Sequence, residues 1–445
     1  MSDSAPEERQ APRLDLGDIQ GTVLRPPPGA CHGVYQLYRI DDPAAARQAL
    51  RDVIPSVTPA TDSDAPRPFT FNIAFTYTGL AALGVPEESL ASFPQEFRAG
   101  MAARKDVLGD AGASDPASWV RPMGSKDVHI GIVIITTAEE ELEEPLAIAA
   151  GLTGVSRIYQ RDVYMPSSGR EHFGFRESIG GPYVIGSGTE PLPGQDHVMP
   201  GEFLLGHEDE SGRTSPMPSP EVLGRNGTYV AFRQFATDVA AFRSYLREHA
   251  RSPGDEELLA AKMVGRWRSG APLALTPEAD DPELGADPRR NNDFAYHESD
   301  PDGLRVPQGA HIRRVNPRDS LTGGIVDTKI HRMVRRGALY GPPLPEGLID
   351  DDGVERGLFF IFMGADLARQ FEFITQVWIN NGDFAGLGHT KDPFVGSNDG
   401  TGTHVIPARP VRRRLTGLPS FVAVRGGEYC FMPGLRALEW LAAER

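Results

Sequence analysis

The sequence predicts an α+β fold made of a duplicated βαββαβ unit, and three observations point to it. A short apolar run followed by an amphipathic helical stretch occurs four times, beginning near Val34, Val128, Thr228 and Leu358. Two copies fall in each half of the chain. An acidic segment rich in Ser and Pro, Asp209 to Glu221 (DESGRTSPMPSPE), lies between the halves.

The first copy joins VYQLYRI to DDPAAARQALRDVI, where β-branched and aromatic residues suit a strand and Asp-Asp-Pro starts a helix. The second joins VHIGIVII to TTAEEELEEPLAIAAGL, the third TYVAFRQF to ATDVAAFRSYLREHA, and the fourth LFFIFM to GADLARQFEFITQVWI. Further strands are expected at Phe69 to Phe75 and Ser156 to Tyr164. An antiparallel sheet with helices on one face satisfies this order. The bare faces of two such sheets then need covering, by each other or by a ligand. The main boundary is placed near Ser215, giving a disordered polar tail at residues 1–14 and domains at 15–214 and 215–445. The acidic run Pro277 to Asp287 reads as an exposed loop.

The chain has 445 residues, 40% hydrophobic and 24% charged, which is enough for a sizeable core without staples. Two cysteines, Cys31 and Cys430, exclude a disulfide scaffold and an all-cysteine cluster. A net charge of −16 repels phosphate backbones and anionic lipids, so neither nucleic acid nor a membrane is an expected partner. The opening MSDSAPEERQAPR has no apolar signal core and no twin arginine, which makes the cytoplasm the expected compartment. The sequence assigns no oligomeric state. HExxH, GxxxxGKS, GxSxG and CxxC are all missing, so zinc-protease, P-loop, α/β-hydrolase and thioredoxin readings lack support.

Two clusters could carry chemistry. GAHIRRVNPRD (Gly309 to Asp319), followed by Arg332, Arg335 and Arg336, concentrates arginine around His311 and His331 in an acidic chain. A neutral imidazole can ligate iron, and arginines can pair with the propionates of a haem. A solvated basic loop with hydrogen-bonded histidines fits the same residues, and the local sequence does not choose between the two imidazoles. GREHFGFRESIGGP (Gly169 to Pro182) has glycines for tight turns and a carboxylate, Glu177, that reads either as a proton shuttle in a pocket or as an exposed loop residue.

Taken in order, nine segments resemble the dye-decolorizing peroxidases, haem enzymes of two ferredoxin-like domains. They are DIQG (Asp18 to Gly21), FGFRESIGGP (Phe173 to Pro182), PGEFLLG, NGTYVAFRQ, AAKMVGRWRSGAPL, GAHIRRVNPRD, RRGALYGPPL, ERGLFFIFM and QFEFITQVWIN. The resemblance implies that the two ferredoxin-like sheets form a dimeric α+β barrel-like arrangement within one chain. It also implies haem b (iron protoporphyrin IX) as cofactor, with hydrogen peroxide and small organic electron donors, such as dyes or phenols, as substrates.

Position by position, the resemblance gives His311 as proximal iron ligand, leaving His331 hydrogen-bonded in the fold. It gives Arg318 as propionate-binding arginine and Arg335 as distal arginine. Leu358 and Phe360 would wall the haem pocket, with Phe362 either beside them or in the core. Asp392, in KDPFVG, is similar to an acid that could accept the other ring N–H of His311. Two departures stand out. Glu177-Ser178 replaces the family's distal Asp-Gly, moving the carboxylate by about 1.5 Å unless the loop retreats, and Pro307-Gln308 replaces Pro-Phe. Trp267, Trp378 and Tyr340 read as surface electron relays or as packing. A specialised oxygenation or biosynthetic role, or non-catalytic haem binding, are the alternative functions.

Overall fold

A computed structural model describes residues 12–27, 29–61, 68–252, 254–321 and 327–443. Most of the expected tail, residues 1–11, lies outside the described residues, whereas Leu14 is buried.

Eight strands form one closed barrel: β1 (Cys31–Ile40), β2 (Phe69–Phe75), β3 (Ile130–Thr136), β4 (Val155–Met165), β5 (Thr228–Thr237), β6 (Val334–Tyr340), β7 (Gly357–Gly364) and β8 (Val422–Met432). Their spatial order is β1-β3-β2-β8-β5-β7-β6-β4 and back to β1, with antiparallel neighbours throughout. Each half therefore contributes the same four-strand order, with its first strand between its fourth and third. The halves meet at two thin seams, Phe75 opposite Phe431 and Tyr164 opposite Leu339. The sheets thus cover their own bare faces by closing on each other. This is an α+β barrel from two ferredoxin-like units.

The four strand-helix repeats occupy β1 with α1 (Pro43–Val53), β3 with α2 (Glu143–Ala150), β5 with α3 (Val239–His249), and β7 with a wide, π-type helix at Leu367–Glu372 and Ile374–Ile379. Aspartates start three of these helices. Asp42 accepts from the amides of Ala44 and Ala45, Asp238 from Ala241 and Asp366 from Arg369, satisfying N–H groups that an α-helix leaves unpaired at its start.

An eight-stranded barrel is just wide enough for side chains to fill. Tyr35, Phe232 and Phe359 meet inside it, with ring centroids 5.2 Å apart for Tyr35–Phe359 and Phe232–Phe359. Phe71, Ile73, Ile132 and Ile134 lie on the opposite face, in the core under the helices. Both faces are buried, which is why these strands read as continuous apolar runs.

Sequence reading did not anticipate β6 or β8. VRRGALY and VAVRGGEYCFM carry arginines and glycines that hide the alternation. A long insertion between α3 and β6 holds α4 (Asp255–Val264) and the short helix α5 (His311–Val315).

Candidate active site

Along β6, side chains alternate faces, so the neighbours Arg335 and Arg336 point in opposite directions. Arg336 donates to the carbonyls of Thr22 and Val23. Arg335 stands opposite Phe362, and Gly337 opposite Phe360, on the outer face of the β6–β7 pair. Phe362 is fully buried and packs on Phe371 of the π-type helix, so it belongs to the core, while Leu358 and Phe360 remain half-exposed on the same face. At Gly337 a Cβ would come within 3.3 Å of Leu358, so glycine keeps this part of the face flat.

The distal carboxylate candidate, Glu177, sits on a loop laid over that face. Residues 169–177 form a tight hairpin: Arg170 bridges Arg176, and the Glu177 amide donates to the Gly169 carbonyl at 2.8 Å. Beyond it, Arg335 donates to the Ile179 carbonyl at 3.4 Å and Arg332 to the Gly180 carbonyl at 2.8 Å. Burial lowers the Arg335 pKa, and the charge of Glu177 opposes that shift. Arg335 is exposed on this face and Glu171 is half-buried.

His311 opens α5, and its Nδ1 lies 2.9 Å from Oδ2 of Asp392, which is wholly buried. Oδ1 of Asp392 accepts from the amides of Phe394 and Val395 at 2.9 and 3.0 Å. Burial works to raise the Asp392 pKa, but His311, Arg314 and the Val395 amide outweigh it and hold the carboxyl below its ordinary range. Arg314, on the same short helix, anchors it by donating to the carbonyls of Trp378, Thr390 and Asn381 at 2.6–2.8 Å. The ring of Phe394 connects this pair to the distal loop: it lies 6.2 Å from His311, 5.3 Å from Phe173 and 6.1 Å from Phe175.

Arg318 adopts a left-handed backbone, φ 51°, and its guanidinium lies 3.9 Å over the Phe294 ring while donating to the Phe294 carbonyl at 2.9 Å. Asn292 accepts from both Arg318 and Arg266. Burial first, then the nearby Arg318 and Arg335, push Arg266 down to about 9. Arg332 is pushed down to about 10 by burial and the same two neighbours, against the pull of Asp196. Four arginines thus repel one another around this region, an arrangement that an anionic ligand relieves. A cavity of about 610 Å³ lined by Ala274, Leu275, Phe294, His297, Glu298 and Asp319 shares Phe294 with the cluster but none of the predicted site residues.

Other residues fall elsewhere. His331 stacks on Phe373 with centroids 3.9 Å apart, its Nδ1 against the Arg369 carbonyl. Trp267, Trp378 and Tyr340 are each at most 5% exposed, so none of them is at the surface. Sequence reading missed Arg266, Asn292, Arg314 and Glu171 as site-building residues. The arginine content of GRWRSG and HIRR hinted at Arg266 and Arg314, whereas no such signal marked Asn292 or Glu171.

The chain is similar to known proteins in both sequence and fold. Residues 18–149 match the model of the DyP dimeric alpha+beta barrel domain. The chain is 33% identical to Peroxidase 2 of Mycetinis scorodonius, over 96% of this chain and 87% of that protein. It is 33% identical to the dye-decolorizing peroxidase of Mycena epipterygia over 97% and 87%. The chain belongs to the dye-decolorizing peroxidases. Among solved structures, a dye-decolorizing peroxidase in complex with 2,6-dimethoxyphenol superposes with a TM-score of 0.86 at 31% identity, covering 97% of this chain and 100% of that one. A fungal DyP-type peroxidase from Auricularia auricula-judae gives 0.85 at 30% over the same coverage. This dye-decolorizing peroxidase is accordingly a haem-dependent enzyme that oxidises organic donors at the expense of peroxide. Among the described residues, no helix is long and apolar enough to cross a membrane.

Proposed function

We propose that His311 would ligate the iron of haem b and that Glu177 and Arg335 serve the reaction with peroxide. The observation that carries this is the 2.9 Å pair of His311 Nδ1 with the buried Asp392 carboxylate, which fixes the tautomer and leaves Nε2 as the basic nitrogen. The flat outer face of β6–β7, with half-exposed Leu358 and Phe360, suits a planar macrocycle, and the crowded arginines, Arg318 among them, suit its propionates.

Haem, when bound, supplies the redox chemistry that reduces hydrogen peroxide and oxidises donors one electron at a time. The protein manages protons and charge. The Glu177 carboxylate accepts a proton from one oxygen of hydrogen peroxide and returns it to the other, so water is the leaving group. Arg335, charged at any working pH, stabilises the negative charge that develops as the O–O bond breaks. Asp392 holds the Nδ1–H of His311 and makes its ring more electron-rich. Dyes and phenols are the donor class, by similarity to relatives named for dyes and to the neighbour bound to 2,6-dimethoxyphenol.

A His311→Ala variant is expected to lose or shift the haem Soret band, and unchanged haem content and spectrum would remove the ligand role. Glu177→Gln or Arg335→Leu should slow the reaction with peroxide by about 10²–10⁴-fold in rapid mixing. Unaltered rates in both defeat the distal roles. The division at Ser215, between domains 15–214 and 215–445, is supported by β1–β4 lying before it and β5–β8 after it. A cytoplasmic address is supported by two buried thiols, Cys31 and Cys430, that remain unpaired.

A further inference from the structure

The hairpin that carries Glu177 lies in the first half of the chain and Arg335 in the second, so the placement of one against the other depends on contacts that cross between the halves. Two of these, from Arg335 to Ile179 and from Arg332 to Gly180, act just past Glu177, near the start of β6. A third acts at the other end of that strand. His172, in the turn of the hairpin, has its Nε2 2.9 Å from the carbonyl of Tyr340, the last residue of β6. A carbonyl only accepts, so Nε2 carries the hydrogen. Nδ1 is buried with no protein partner, which makes it the unprotonated nitrogen of a neutral ring. From Arg335 to Tyr340 is about 17 Å along the strand, and Glu177 falls between the two anchored ends in sequence.

We propose that His172 is a positioning residue for the reaction with peroxide: its Nε2–H ties the turn of the hairpin to the far end of β6 and so sets where the Glu177 carboxylate stands relative to Arg335. The proposal rests on the reading of Glu177 and Arg335 as the groups that serve peroxide. Both partners of the bond are held in place. Tyr164 on β4 donates to the next carbonyl along, that of Gly341, at 2.9 Å, which fixes the end of β6. The turn is closed by Glu171, whose Oε2 and Oε1 accept from the amides of Phe173 and Phe175, each at 2.8 Å. Phe173 and Phe175 pack on Phe242 and Phe394 of the second half. Apolar packing of this kind has no preferred direction and lets a loop slide, whereas a hydrogen bond constrains both distance and angle. His172 supplies that constraint at the turn, as Arg332 and Arg335 do beyond Glu177.

The test compares three variants of the holoenzyme. A glutamine amide nitrogen can stand where Nε2 does, an asparagine one where Nδ1 does, and leucine keeps bulk without a donor. In rapid mixing with hydrogen peroxide, His172→Asn and His172→Leu are expected to react roughly 10- to 100-fold more slowly, as for a misplacement of about 1 Å, and His172→Gln to stay within about threefold of the wild type. Donor oxidation by the peroxide-treated enzyme, timed separately, should be unchanged in all three. Amide hydrogen exchange over residues 169–180 should quicken in the asparagine and leucine variants and not in the glutamine one. A slowing common to all three variants, or one that falls equally on the peroxide and donor steps with a lower melting midpoint, marks a merely structural role and overturns the proposal. Exchange that stays at the wild-type level in His172→Asn overturns it too. Should His172→Leu fail to fold, the asparagine and glutamine variants decide alone. A Glu177→Gln enzyme that reacts with peroxide at the wild-type rate defeats the proton-acceptor reading instead, and the exchange data separate the two failures.

Discussion

Ser178 holds a left-handed backbone, φ 65°, immediately after Glu177. Such a conformation costs an L-residue about 1–2 kcal/mol, and glycine adopts it freely. The family motif has glycine here, so this chain keeps the turn and bears the strain. Ser178→Gly should raise stability by up to about 1 kcal/mol in urea unfolding, and a loss of stability would show that the hydroxyl contributes more than the strain removes. At His311 the informative change is Asp392→Asn. With the anionic partner of Nδ1 gone, the imidazole becomes a weaker electron donor, and the haem reduction potential should rise in spectroelectrochemistry. A potential that stays put or falls argues against the tuning role of Asp392.

At the scale of elements, β8 shows how a strand can hide from pattern reading. Its inward positions hold Glu428, Cys430 and Met432, opposite Phe232, Val230 and Thr228 of β5. Glu428 is buried, accepts from the Gly124 amide at 2.6 Å, and is pushed by burial up to about 8. The folded protein therefore keeps this proton between the ordinary value of 4.5 and about 8, where the unfolded chain has lost it. Stability from this group is greatest below that window and declines as pH rises through it. Glu428→Gln should flatten the decline, so the variant gains on the wild type from about pH 5 to about pH 8 in urea titrations. Equal pH profiles would mean that Glu428 ionises normally in the fold.

The whole molecule depends on joining two four-stranded sheets across seams of one residue pair each. Gln20, in the DIQG segment, reinforces one of them. Its Nε2 donates to the carbonyls of Ile73, on β2, and Pro433, just past β8, at 2.8 and 2.9 Å, and its Oε1 accepts from the Ile73 amide at 3.0 Å. Asp18 adds a second tie, accepting from Asn226 at 2.6 Å and from the Arg436 amide at 2.7 Å, at the start of the C-terminal helix α6 (Leu435–Ala442). Gln20→Leu leaves three buried backbone groups without partners and should destabilise the protein by at least about 2 kcal/mol. The loss should appear as one transition with a lower midpoint, because each half completes the other's barrel. Two separated transitions would show halves that fold independently.

The repeats of strand and helix, their aspartate starts and the strands at Phe69 and Ser156 were legible because local periodicity and capping chemistry are properties of neighbouring residues. So were the arginine-rich cluster around His311 and the glycine-rich loop that carries Glu177. Barrel closure followed from the family resemblance and not from local pattern, since pairing Phe75 with Phe431 and Tyr164 with Leu339 joins residues far apart in the chain. The pairing of Asp392 with His311 likewise came from the resemblance alone, and no local pattern showed that β6 turns Arg335 outward and Arg336 inward. Sequence alone determined the four strand-helix repeats, two further strands and which charges need partners. The tertiary structure decided which partner each one meets, because electrostatic and packing energies depend on distance in space rather than along the chain.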